Sequence, residues 1–212
     1  MNKSEKFWDK SASRFDQAEK KDEKTYIQII EKTKRYLKPG DTVLDFGCGT
    51  GLICNEIAGI VKLIHAIDIS SKMIEIAKSK TDNRKIQNID YTHSTIYDER
   101  HKSGSFDVIL AFYILHLLED NQKAIQRIND LLKPGGFIIS VIPCFGEKIL
   151  LNISLSLLSK IGLVPDVKSF KDNELEDLIV NAKFQIVENE RLHQGVPQYF
   201  IVAKKIEIDI LD

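Results

Sequence analysis

Apolar residues in this chain fall into short continuous runs separated by longer, one-sided stretches of helical spacing. Two amphipathic segments come first. Residues 4–22 are dense in charge and carry Phe7, Trp8, Ala12 and Phe15 on one side, which predicts a helix docked on the body. Residues 24–37 place Tyr26, Ile29, Ile30, Thr33 and Leu37 on one face, and Pro39-Gly40-Asp41 stops that second helix. The pattern then alternates. Strands are expected at 42–46, 62–68, 88–93, 106–112 and 137–142. Helices are expected at about 51–59, from the Ser70-Ser71 cap to about Lys80, and at about 120–132, where Lys133-Pro134-Gly135-Gly136 ends the last of them. Continuous apolar strands alternating with helices fit an α/β fold, a parallel sheet covered on both faces.

The rhythm breaks after the fifth strand. Residues 148–161 are helical in pattern but apolar on more than one face, so 143–169 reads as a lid insertion within the domain. A helix at about 171–182 and strands at 184–191 and 198–203 follow, and the short loop with Gly195 and Pro197 suggests a closing antiparallel pair. The expected organisation is a single domain over 1–212 with cap helices in 1–38.

Composition narrows the class. With 212 residues, 43% apolar and 29% charged, the chain can bury a substantial core. Thirty basic against 31 acidic residues leave a net charge of −1, which offers no global attraction for nucleic acid. The charged N-terminus lacks an apolar signal region, and the greasiest segment, Ile149 to Leu158, is interrupted by Asn152, Ser154 and Ser156. No membrane span is expected, and a cytoplasmic location follows by default. Cys48, Cys54 and Cys144 form neither a CxxC pair nor a Cys/His cluster, so no metal is expected and the thiols read as small, partly buried residues.

The chemistry concentrates where the first strand, Val43-Leu44-Asp45-Phe46, enters Gly47-Cys48-Gly49-Thr50-Gly51. Glycine tolerates positive φ and lets a ligand approach the backbone closely. The second strand ends at Asp68, 21 positions after Gly47, where an acid can accept hydrogen bonds from both hydroxyls of a ribose. A dinucleotide turn would carry its third glycine at Leu52, whereas here it comes one residue early, at Gly51. Asp45 would repel a pyrophosphate and suit a cationic ligand. A bare tight turn, a capping role for Asp45 and a helix-terminal role for Asp68 are the structural alternatives.

The D-x-G-x-G-x-G form of Asp45 to Gly51, Phe106-Asp107-Val108-Ile109 and Leu132-Lys133-Pro134-Gly135-Gly136 resemble the class I S-adenosylmethionine-dependent methyltransferases, small-molecule type. The likeness covers residues 41 to about 143 and, more weakly, the last 40. It implies a Rossmann-like seven-stranded sheet of order 3-2-1-4-5-7-6 with strand 7 antiparallel. It also implies S-adenosylmethionine as cofactor, S-adenosylhomocysteine as product and no metal. Cofactor contacts are then expected from Asp45, Gly47, Cys48, Gly49, Gly51, Asp68, Ile69, Met73, Ile96, Ala111 and Phe112. Thr95 stands where the family commonly has an acid for the adenine amino group. The opening Phe7-Trp8-Asp9-Lys10 resembles the family's N-terminal helix, which folds over the cofactor, and Trp8, Phe15, Tyr26 and Tyr113 are candidate lid or substrate residues.

The expected reaction is in-line methyl transfer to an O, N, S or C atom of a small, partly apolar acceptor. His116 and His193 are candidate bases or substrate contacts, with a structural hydrogen-bonding role as the alternative. No Asp/Asn-Pro-Pro-Tyr motif of amino-methylating nucleic-acid enzymes occurs. Two other functions remain open: a non-catalytic module that binds S-adenosylmethionine or S-adenosylhomocysteine, and a NAD-dependent oxidoreductase.

Overall fold

The chain's first helix, α1 (Lys3–Glu19), and second, α2 (Glu23–Lys34), precede the alternating body. The structure is a computed structural model and describes residues 3–19, 22–144, 167–168, 170, 172–192 and 197–207. The body runs β1 (Thr42–Phe46), α3 (Leu52–Ile57), β2 (Leu63–Asp68), α4 (Ser71–Asn83), β3 (Ile89–His93) and β4 (Phe106–Phe112). A 3-10 turn at Leu115–Leu117 leads to α5 (Asn121–Leu131), β5 (Leu132–Pro143), α6 (Asp172–Asn181), β6 (Phe184–Arg191) and β7 (Gln198–Lys205). The segment 148–161, His193 and Gly195 lie outside the described residues.

The seven strands form one sheet of order β3-β2-β1-β4-β5-β7-β6, with β7 antiparallel to both neighbours. Side chains alternate across it. Val43, Ile64, Val108, Leu110 and Val202 pack with α2, α3 and α4 on one face. Leu44, Ile67, Ile109, Ala111 and Ile201 pack with α5 and α6 on the other. Each fully buried Leu or Ile contributes about 1.5–3 kcal/mol, and these two layers hold the sheet. On the first face Lys32 is buried against Phe200, and its ammonium bonds Glu188 and, at 2.6 Å, Glu190. That contact fixes α2 to β6.

The chain leaves β1 for β2 and β3 on one side and returns to β4 on the other. A crevice therefore opens beyond the carboxyl ends of β1 and β4, the point where ligands bind in such sheets.

One expectation about the L-K-P-G-G segment is corrected. The helix before it ends at Leu131 with Leu132 as its cap, as expected, but β5 starts at Leu132 rather than after the segment. Leu132 pairs with Phe106 and Phe137 with Val108, so extra residues bulge between them. Gly135 takes φ +70°, and a β-carbon on Gly136 would lie 2.9 Å from the Asp107 carbonyl oxygen. Lys133 Nζ closes the bulge by donating to both Asp107 carboxylate oxygens at 2.8 Å. Leu132 gains a strand partner in Phe106 ahead of the bulge, and regular pairing resumes at Phe137. Among the described residues no helix is long and apolar enough to cross a membrane.

Candidate active site

β1 ends in a turn whose three glycines all occupy the left-handed region, at φ +78° (Gly47), +53° (Gly49) and +74° (Gly51). The Gly47 and Cys48 amides donate to the Ile67 carbonyl at 2.9 and 3.0 Å, which ties the turn to β2. The glycines then differ. A β-carbon on Gly47 would lie 3.1 Å from Ile114, and one on Gly49 would lie 3.4 Å from the Phe15 ring. Both residues line a cavity of about 730 Å³, well inside the roughly 300–1,000 Å³ range of small-molecule sites. Gly51 points away from it, toward Tyr91 and Ala77.

Asp68 ends β2 on the cavity wall. Its Oδ2 accepts from the Gly49 amide at 3.0 Å and its Oδ1 from the Ser70 amide at 2.8 Å. Burial raises its pKa, and the two amides oppose that rise. An ionised carboxylate has about four acceptor positions, so two amides leave about two for a ligand.

Cys48, Ile69 and Met73 line the same cavity, as do Thr95 and Ile96 beyond β3. Phe112, Tyr113 and His116 line it beyond β4, and Trp8, Phe15 and Tyr26 from the two N-terminal helices. Tyr113 sits at φ +53°, and its hydroxyl donates to Gln198 Oε1 at 2.8 Å. His116 is 8% exposed, and no hydrogen-bond partner reaches its Nδ1 among the described residues. Burial alone pushes its pKa down to about 4, so the ring is neutral at pH 7.

α1 roofs the cavity, and its contacts follow the order of the strands beneath. Glu5 lies 3.6 Å from His93 at the end of β3. Asp9 accepts from Ser70 Oγ (2.7 Å) beyond β2, at the cap of α4. Phe15 lies over Gly49 beyond β1, where the Asp16 carboxylate also accepts from Thr50 Oγ1 at 2.5 Å and pairs with Lys80. Glu19, the last residue of α1, lies near Tyr113 beyond β4: burial raises the Tyr113 pKa, and the Glu19 charge adds to the rise.

Besides Gly51, two further expected contacts fall elsewhere. Ala111 is packed into the core on the α5 and α6 face. Asp45 shares the opposite face with Val43, is 3% exposed and does not line the cavity; its Oδ2 accepts from Cys54 Sγ at 2.9 Å. Burial pushes the Asp45 pKa up to about 6, with the Cys54 bond lowering it and the Asp68 charge adding to the rise. The native state therefore keeps a proton that the unfolded chain, titrating near 3.8, gives up. As far as this group is concerned, stability is greatest below about pH 4 and falls as pH rises through about 6. Asp45→Asn is expected to match the native protein near pH 4 and to exceed it by about 2–3 kcal/mol at pH 7. Denaturant unfolding of both proteins across that range checks the sign.

Glu19, Ser94, Tyr97, Glu119, Asp120 and Lys123 also line the cavity without having been singled out from the sequence. Glu19 carried a signal, since Trp8, Ala12, Phe15 and Glu19 form one helical stripe. Lys123 sits 5.1 Å from the Tyr97 ring centre, and its amide is capped by Asp120 at 2.9 Å.

Comparison with known proteins agrees with this geometry. Residues 37–192 match the family described as "Methyltransferase domain". A ubiquinone biosynthesis O-methyltransferase from Shewanella sp. (strain ANA-3) is 30% identical over 149 residues, covering 68% of this chain. This chain spans 63% of that relative's length. Among solved structures, an S-adenosylmethionine-dependent methyltransferase from Methanosarcina mazei superposes with a TM-score of 0.69 at 20% identity, covering 83% of this chain and 97% of the other. A Haemonchus contortus phosphoethanolamine N-methyltransferase in complex with phosphomonomethylethanolamine and S-adenosylhomocysteine gives 0.72 at 19% identity, covering 86% and 53%. At those identities the structural likeness is one of fold.

Proposed function

The chain belongs to the methyltransferase-domain family, and from that premise we propose that it transfers a methyl group from S-adenosylmethionine to a small, largely apolar acceptor. One observation carries this reading: a single cavity joins the Gly47–Gly49 turn and the Asp68 carboxylate to an aromatic chamber walled by Trp8, Phe15, Phe112 and Tyr113. The residues present fit the cofactor. Asp68 keeps acceptor positions for a ribose, Ile69, Met73 and Ile96 offer an apolar slot for adenine, and the glycine turn leaves the backbone open.

S-adenosylmethionine supplies, when bound, a methyl group already activated on a positive sulfur. The protein's task is then to align the acceptor and exclude water, which makes the encounter effectively unimolecular. The chamber supports an uncharged acceptor. Lys123 is the only permanent cation among the described lining residues, and it lies at the Tyr97 end, away from Tyr113. A phosphorylated acceptor, as in the Haemonchus contortus complex, would meet no cation beside Tyr113 among the described lining residues. A hydroxyl acceptor suits His116, whose ring is neutral at pH 7 and whose Nδ1 has no hydrogen-bond partner among the described residues. The transfer removes one positive charge from the cavity, and a proton on His116 replaces it. The Shewanella relative, named as an O-methyltransferase, supports the same choice of atom.

Calorimetry with S-adenosylmethionine, S-adenosylhomocysteine and NAD tests the cofactor, and the first two are expected to bind while NAD does not. Labelled-methyl transfer to phenols and enols is expected to exceed transfer to phosphoethanolamine. NAD binding, or faster methylation of phosphoethanolamine, would overturn the reading.

A further inference from the structure

The cofactor's methionyl tail carries an ammonium, and the first strand's acid is not available to it. Asp45 is enclosed beneath the turn, bonded to Cys54 and absent from the cavity wall. The other carboxylates on the wall divide by position. Asp68 is held over β2 by two amides, where a ribose takes its remaining lone pairs. Asp120 caps α5, and its charge acts on Tyr97, which places it with neighbouring Glu119 toward the end of the cavity beyond β3. Glu19 stands at the opposite end.

Three observations give Glu19 its character. It lies on the cavity wall with Phe15, Tyr26 and Tyr113, where a cation meets both a carboxylate and aromatic faces. No hydrogen-bond or ion-pair partner reaches it among the described residues, although Asp16 one turn earlier is bonded to Thr50 and Lys80. Burial raises its pKa, and Asp22 and Asp16 raise it further, so a cation beside it would relieve both desolvation and like-charge repulsion. The strand order under α1 supplies the address. Ribose over β2 and sulfur over the glycine turn of β1 carry the tail toward β4, where Glu19 and Tyr113 line the wall close enough for the Glu19 charge to act on Tyr113.

We propose that Glu19, on the roof helix, is the carboxylate that receives the ammonium of the cofactor's methionyl tail. This rests on the methyl-transfer reading above. Binding then couples the tail to α1, so the roof closes on a ligand that carries an amino-acid group.

The test compares S-adenosylhomocysteine with 5′-methylthioadenosine, which keeps the adenosyl thioether and lacks the tail. Both are titrated calorimetrically into the native protein and into Glu19→Gln, with thermal melting to check folding. The variant is expected to bind S-adenosylhomocysteine roughly tenfold more weakly and 5′-methylthioadenosine within about twofold of native. Equal weakening of both ligands would overturn the proposal and make Glu19 a residue that seats the roof. Unchanged S-adenosylhomocysteine affinity would also overturn it and leave Glu19 to the acceptor. Failure of the native protein to bind either ligand would sink the cofactor reading itself and the proposal with it.

Discussion

Asp68→Ala is expected to weaken S-adenosylhomocysteine binding by roughly 10²–10⁴-fold, since hydrogen bonds to a charged acceptor contribute about 1.5–3 kcal/mol each and a ribose supplies two. The substitution also removes the acceptors of the Gly49 and Ser70 amides. A buried amide left without a partner costs about 1–3 kcal/mol, so the thermal midpoint should fall as well. Asp68→Asn separates the two effects poorly, for a reason visible in the geometry. Whichever way the amide turns, its NH₂ meets the Gly49 N–H or the Ser70 N–H, donor against donor. The asparagine variant should therefore lose stability and affinity together, and should not behave as a mild change. Calorimetry below the melting transition gives the affinity, and melting curves give the stability. A folded Asp68→Ala protein with native affinity would remove the carboxylate from the ligand site.

That carboxylate was legible in the sequence because two independent signals fix it, a strand that ends there and a spacing from the glycine turn. The alternation of short apolar runs with helices made the parallel α/β sheet legible, whereas the order of its strands came from the family resemblance of the Asp45–Gly51 and Phe106–Ile109 motifs, and the sheet adopts that order. Side-chain direction was not. Asp45 reads as a ligand from its place before the turn, yet period-two alternation puts it on the face of Val43, under α3, while Phe46 takes the cavity side. Alternation alone does not decide what reaches the cavity: along β4 Phe112 shares the Val43 face and lines the wall, whereas Ala111 shares the Phe46 face and is packed in the core, because the residues at the carboxyl ends of the strands reach the crevice. Glu19 was hidden differently. It belongs to a charge-dense helix whose polar residues mostly face water, and only its position on the Trp8–Phe15 stripe sets it apart. The bulge at Leu132–Gly136 shows tertiary pairing overriding turn chemistry, since Pro134 and Gly135 signal a break that Lys133 and Asp107 bridge.

The glycine turn gives the second large effect, and it separates packing from ligand binding. Gly51→Ala is expected to destabilise the protein by about 3 kcal/mol. A left-handed conformation costs a residue with a β-carbon about 1–2 kcal/mol, and overpacking adds about 1–3 kcal/mol. Here the new methyl would collide with Tyr91 Oη, whose bond to Thr81 Oγ1 spans 3.0 Å inside the α4 and β3 packing. For a domain of this size the midpoint should drop roughly 6–12 °C. Gly51 does not face the cavity, so S-adenosylhomocysteine affinity in the folded protein should stay within about 1 kcal/mol of native. Tyr91→Phe supplies the internal check. It removes the hydroxyl but leaves the ring carbon 3.1 Å from the added methyl, a distance that a small shift relieves. In that background the Gly51→Ala penalty should shrink toward the backbone part alone, about 1–2 kcal/mol. A penalty that is the same in both backgrounds would mean strain at φ +74° acts alone. A large loss of affinity with little loss of stability would return Gly51 to the ligand side of the turn.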